Sequence, residues 1–316
     1  MRIFNFGSDS ASSTSLNQER ALPVTKLEVT NVTSVDHYWN EHTVNSKPFT
    51  SARESERYLE WRASVYPKLK EFMQLYGNHD GQVVLDYGCG PGNDVVGFAI
   101  YTKAKKVIGI DVSQKALNLA RHRLTLHNVA ADRIELILSS DSLSKVPLED
   151  SSVDYINFSG VLHHTSDPQS LLKDFYRVLK PGSEDCVMVY NRDSLWLHLF
   201  TAYVRMIVQG AFTGMSVEEA FAKNTDGVDC PIARCYAAEE FTAMCQAAGF
   251  RCEWVGGYLS DTELKSYWEH GKSAVQDKRL DDEHRQFIAN LVFDEGLPKH
   301  NGQHAGVGGV YRVYKE

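Results

Sequence analysis

The stretch "VLDYGCGPGND", residues 84–94, decides the fold. Val84, Leu85 and Tyr87 favour a buried strand. Gly88, Gly90 and Gly92 then permit a backbone turn that side chains would forbid. Asp86 stands at the strand's end. A glycine turn between strand and helix sets backbone N–H groups and a helix N-terminus against a ligand. A Walker loop needs a Gly-Lys-[Ser/Thr] that does not follow. A dinucleotide fingerprint needs G-x-G-x-x-G. Gly88 and Gly90 match its first two glycines, but Asn93 takes the third place. The spacing is D-x-G-x-G-x-G instead.

A second acid narrows the ligand. "VIGID" ends at Asp111. An acid at the end of the second strand accepts hydrogen bonds from the ribose hydroxyls of an adenosine; alone, it would read as a helix cap. Outward from there, strand-like and helix-like segments alternate. Strands are expected at 82–87, 106–111, 133–138, 153–158 and 185–190, and helices at 92–103, 113–127 and 168–180. The apolar strand runs indicate an α/β protein with a mostly parallel sheet covered on both faces.

The flanks are additions to this rhythm. Residues 1–30, rich in Ser, Thr and Asn, are expected to be a flexible tail. Residues 31–80 form an N-terminal helical addition, with an amphipathic helix over 51–76 disrupted at Pro67. Residues 191–236 insert helices after the fifth strand. The stretch 194–222 begins as one very apolar helix, on which Trp196, Leu199 and Tyr203 mark core or a dimer face. Residues 237–316 resume the α/β pattern with a helix at 237–248 and strands at 250–258 and 306–315. They carry a polar, helix-prone insertion at 260–300.

Composition excludes several classes. The chain of 316 residues has a net charge of -8, which argues against a duplex-binding surface. No apolar run reaches the roughly 18 residues of a membrane span. The N-terminus lacks the pattern of a signal peptide, so a cytoplasmic location is expected. Six cysteines show no zinc-type spacing and read as free thiols, and no metal is expected.

The chain resembles the class I S-adenosylmethionine-dependent methyltransferases over roughly residues 80–190. The likeness rests on "VLDYGCGPG", "VIGIDVS", "SSDS", "YINFSGVLHHTSDP" and "LLKDFYRVLKPGS" in that order. It implies a Rossmann-like three-layer sandwich, a seven-stranded sheet with the last strand antiparallel, and a cofactor-binding core at 81–190 under a helical lid. The implied cofactor is S-adenosyl-L-methionine. Asp86, Gly88, Cys89 and Gly90 would line its methionine part, and Asp111 would hold the ribose beside Val112. Asp141, flanked by Ser140 and Ser142, would meet the adenine. Ser159 and Gly160 would supply main-chain contacts.

The same resemblance implies methyl transfer to a small-molecule acceptor. "VLHH" is similar to the "VLHD" of plant O-methyltransferases, which puts His163 forward as a base and His164 as a loop anchor. Tyr38, Tyr58, Asn191, Arg192, Arg234 and Tyr236 are candidate substrate contacts. No [DNS]-P-P-[YFW] signature follows strand four and no Pro-Cys pair exists, so nucleic acid is not the expected substrate. The rival readings are a nicotinamide-dependent oxidoreductase and a non-catalytic cofactor-binding partner subunit.

Overall fold

The computed structural model describes residues 22–27, 32–143 and 145–316. Its central sheet joins eight strands: β1 (Val24–Lys26), β2 (Val83–Tyr87), β3 (Lys106–Asp111), β4 (Ile134–Leu138), β5 (Tyr155–Ser159), β6 (Ser183–Tyr190), β7 (Arg251–Tyr258) and β11 (Gly308–Lys315). Their order is β1-β4-β3-β2-β5-β6-β11-β7. All neighbours are parallel except β11, which runs antiparallel between β6 and β7. Successive residues pack on opposite faces: Val84 and Val107 join one core, Leu85 and Ile108 the other. A sheet buried on both sides needs such unbroken apolar strands.

The chain leaves β2 toward β3 and β4, then returns to place β5 on the other flank of β2. That reversal opens a crevice at the carboxyl ends of β2 and β5, where open α/β sheets bind ligands. Helices α4 (Asn93–Tyr101), α5 (Gln114–Leu126), α6 (Pro168–Val178) and α8 (Ala238–Ala247) cover the sheet. Over the crevice lie α1 (Ser34–Glu41), α2 (Ala52–Val65) and α3 (Leu69–Met73). Asp36 fastens α1: its carboxylate accepts from Ser140 Oγ at 2.6 Å and from the Asp141 amide at 2.8 Å. Arg123 fastens α2. It is buried on α5, donates to Ser55 Oγ at 2.5 Å and Ser55 O at 3.0 Å, and also donates to Asn93.

Several expectations change. The sheet has eight strands rather than seven, because residues 24–26 of the expected tail pair with β4; residues 1–21 and 28–30 of that tail lie outside the described residues. The helix expected over 51–76 is two helices, since Pro67 cannot continue the first and Lys68 turns to φ +72. The apolar segment Trp196–Val208 winds as a wide π-helix, its last bond running from the Gln209 amide to Val204 O at 3.0 Å. Trp196, Leu199 and Tyr203 are core and not a dimer face, packed with α7 (Val217–Asp226), α9 (Asp261–Gln276) and α10 (Asp282–Ala289). The 260–300 insertion holds more than helices: Val292–Asp294 (β8) and Leu297–His300 (β9) lie in it and form a small antiparallel sheet with Gln303–His304 (β10) just beyond it.

Candidate active site

The glycine turn is built by local necessity. Gly88, Gly90 and Gly92 all have positive φ, at +71°, +52° and +79°. A Cβ on Gly88 would lie 2.2 Å from Val161, and one on Gly92 would lie 2.8 Å from Ala120. Gly90 differs, because the nearest atom to its missing Cβ is Val44, 3.9 Å away. Packing therefore demands two of these glycines. The third leaves open space at the floor of a cavity.

Two acids flank that floor. Asp111 at the end of β3 accepts from the Gly90 amide at 2.7 Å and the Ser113 amide at 2.8 Å. It thus holds the turn against the second strand. Burial outweighs those bonds and pushes its carboxyl up to about 6. Asp86 accepts from Asn157 Nδ2 at 2.8 Å through one oxygen, and its other oxygen is buried without a partner. Burial, and then the negative charge of Asp94, drive the Asp86 carboxyl well above the usual carboxylate range. Asp94 is opposite in character. Burial would raise it too, but Arg62 beside it holds it below its ordinary value.

Above the floor the cavity wall comes from dispersed segments. Trp39 of α1, Tyr58 and Arg62 of α2, Leu69 and Met73 of α3, Met188 and Tyr190 of β6, His164, Asp226 and Tyr258 all line it. None of residues 260–300 does. Of the expected cofactor residues, Asp86, Gly88, Cys89, Gly90, Asp111, Val112, Asp141, Ser159 and Gly160 line this one cavity. Ser140 and Ser142 do not. They bond each other at 2.8 Å, and Ser140 also donates to Asp36. Asp141 already accepts from the Ser166 amide at 2.9 Å and from its hydroxyl.

The substrate-side expectations fare less evenly. Tyr58 and His164 line the cavity, whereas His163 is fully enclosed, stacked on Tyr190 with ring centroids 3.8 Å apart. Neither His163 ring nitrogen has a partner, and burial followed by the charge of its neighbour His164 lowers its pKa well below the ordinary value. His163 does not line the cavity; the histidine that does is His164. Tyr38 donates to Asp226 O at 2.5 Å, and Asn191 donates to Gly306 O at 3.0 Å. Arg192 pairs with Glu240 at 3.0 Å, and Arg234 donates to Thr165 O at 2.7 Å. Tyr236 is buried beside Asn191. These five brace loops and do not line the cavity. Trp39, Tyr190, Asp226 and Tyr258 escaped the reading, since only folding brings such scattered residues together.

A family described as a methyltransferase domain matches residues 78–249, more than half of the chain. The chain belongs to the class I S-adenosylmethionine-dependent methyltransferases. Among relatives of this superfamily, the demethylmenaquinone methyltransferase of Listeria monocytogenes is 31% identical over 170 residues, 51% of this chain and 66% of the relative. An uncharacterised methyltransferase of Schizosaccharomyces pombe is 37% identical over 107 residues, 33% of this chain and 38% of the relative. The matched stretches thus span 37% to 66% of the first curated relatives' length. Among solved structures, phosphoethanolamine N-methyltransferase 2 of Haemonchus contortus, in complex with phosphomonomethylethanolamine and S-adenosylhomocysteine, aligns with a TM-score of 0.51 at 16% identity. The alignment covers 89% of this chain and 60% of that one. That likeness speaks to the fold.

The residues present fit the cofactor of this methyltransferase family. The unpartnered Asp86 oxygen suits an ammonium group. Each Asp111 oxygen keeps a lone pair for a hydroxyl after its backbone bond. The open space at Gly90 accepts a ligand where any side chain would intrude.

Proposed function

We propose that the chain transfers the methyl group of S-adenosylmethionine to a small-molecule acceptor. The observation that carries this reading is a single cavity with two kinds of wall. Its floor gathers Asp86, the glycine turn and Asp111, and its far side gathers Trp39, Tyr58, Tyr190, His164 and Asp226. When bound, S-adenosylmethionine supplies an electrophilic methyl group. Asp86 would hold the ammonium and Asp111 the ribose hydroxyls. Val112 and Asp141 would flank the adenine, and the backbone of Gly88–Gly90 and Ser159–Gly160 would enclose the rest.

The remaining residues position the acceptor and keep water out. Trp39, Tyr66, Leu69, Met73 and Tyr258 give the far wall an apolar lining, which favours near-attack geometry over hydrolysis. The Arg62–Asp94 pair leaves the cavity edge without a bare charge. Asp226 and His164 mark the polar end. The Listeria relative's name supports a small acceptor and makes a demethylated quinol the first compound to try.

The test is transfer of labelled methyl from S-adenosylmethionine into a panel of small acceptors that includes quinols, phenols, thiols and amines. Label should enter at least one small product, and Trp39→Ala should slow that reaction. Tight cofactor binding with no transfer to any class would replace the reading with a non-catalytic cofactor-binding subunit.

A further inference from the structure

The far wall of the cavity carries a group of donor atoms that the account above leaves unused. His164 Nε2, an Asp226 carboxylate oxygen and Cys230 Sγ belong to buried residues, and one ligand atom from each lies within 4.8 Å of the others. They come from the loop after β5 and from the end of α7. At Gly227 φ reaches +115°, and the Cys230 amide donates to Gly227 O at 3.0 Å. The chain doubles back there and returns Cys230 beside Asp226.

The hydrogen bonds around this group set its chemistry. His164 Nδ1 lies 2.7 Å from Ile232 O. A carbonyl only accepts, so Nδ1 carries a proton and Nε2 is the ring nitrogen left for a metal. Nε2 lies 3.8 Å from Asp226 Oδ2. Tyr190 donates to the other Asp226 oxygen at 3.0 Å and fixes the carboxylate. A carbonyl behind a histidine and a hydroxyl behind a carboxylate are the outer partners that orient metal ligands. Nitrogen, oxygen and sulfur ligands about 2.0–2.3 Å from a tetrahedral zinc stand roughly 3.3–3.8 Å apart. His164 Nε2 and Asp226 Oδ2, 3.8 Å apart, lie at the edge of that range, and the three ligand atoms stand within 4.8 Å of one another, so an ion would draw them closer. Cys230 Sγ donates to Ile232 O at 3.3 Å, and on binding the ion it would release that proton to water.

We propose that His164, Asp226 and Cys230 form a zinc site whose fourth position opens into the acceptor end of the cavity. His164 and Asp226 line the cavity while Cys230 sits behind them, which leaves the open position on the cavity side. Three protein ligands and one free position are the pattern of a reactive zinc rather than a structural one. The ion there coordinates an acceptor hydroxyl or thiol and lowers its pKa. The O–H or S–H bond breaks, its proton leaves to water, and the electron pair stays on the acceptor atom. Cysteine spacing hid this site, because its ligands come from two separate stretches of the chain.

Metal uptake is read without cofactor or acceptor, so its failure and that of methyl transfer are separate results. Protein stripped with a chelator and dialysed against buffered zinc should hold one zinc per chain by elemental analysis. His164→Ala and Cys230→Ser should lower zinc affinity about tenfold or more, and Cys252→Ser, outside the group, should not. Cobalt-loaded wild type should show a thiolate-to-cobalt charge-transfer band that Cys230→Ser loses and Cys252→Ser keeps. Wild type that takes up no zinc and lacks the band would overturn the proposal and leave His164 and Asp226 as cavity lining only. Full zinc content in both folded cluster variants would overturn it equally. If those variants do not fold, the wild-type cobalt spectrum alone decides.

Discussion

The two ends of the cavity are built in different ways. The cofactor end comes from short contiguous motifs at the tips of adjacent parallel strands. There Asp111 ties the Gly90 amide to β3, so one strand's acid positions its neighbour's turn. The acceptor end draws on α1, α2, α3, the loop after β5, β6, the end of α7 and β7, stretches scattered along the chain. One end rests on backbone conformation, the other on the docking of separate elements. The first constrains sequence locally; the second allows many side chains so long as the helices still pack.

The sharpest way to break this contrast is at Gly90. Gly90→Val should abolish S-adenosylhomocysteine binding in calorimetry, because its side chain enters the cavity; its φ of +52° also strains the turn, so the titration is made on protein shown to be folded by circular dichroism. Retained binding would mean that the floor is not where the cofactor lies. Asp111→Ala should follow, weakening binding by about 2–3 kcal/mol through lost charge-assisted hydrogen bonds. With the free carboxyl near 6, wild-type affinity should fall as pH drops through about 6, since a protonated Asp111 accepts fewer hydroxyls. Asp111→Asn should bind weakly and lose most of that pH dependence in the same titration.

The acceptor end should respond in the opposite sense. Trp39→Ala and Tyr190→Phe should leave S-adenosylhomocysteine affinity within about twofold, yet lower kcat/KM for the acceptor by roughly tenfold, as expected when positioning is lost. A large loss of cofactor affinity in either variant would merge the two ends into one unit.

A separate effect, on stability rather than on binding, lies at the other end of the strands. Asp185 is buried on β6 with one oxygen unpartnered, and burial pushes its carboxyl up to about 8. The unfolded carboxyl titrates near 3.8. Folding therefore takes up a proton between these values, and stability should decline as pH rises from about 4 through about 8. Thermal unfolding of Asp185→Asn should show a flatter pH profile, with cofactor affinity unchanged.

The same contrast explains what the sequence revealed. Strand boundaries from β2 to β6 were legible within two residues, because a sheet buried on both faces demands apolar runs and βα turns demand glycine. Asp86, Asp111 and Asp141 were legible for the same reason. His163 misled because adjacent histidines look alike in sequence. Only the packing of Tyr190 and the carbonyl of Ile232 decide which ring faces the cavity. Strand β1 was hidden, since three residues carry no period and gain their order from β4. The β8–β10 sheet was hidden likewise, because its short polar strands read as part of a helical insertion.

The central claim is that the Asp86–Gly90–Asp111 floor holds the adenosine and amino-acid parts of one cofactor. Calorimetric titration of the folded protein with S-adenosylhomocysteine and, separately, with NADH tests it most directly. The account predicts one S-adenosylhomocysteine per chain, lost in Gly90→Val, and no heat of binding with NADH. Saturable NADH binding without S-adenosylhomocysteine binding would contradict it.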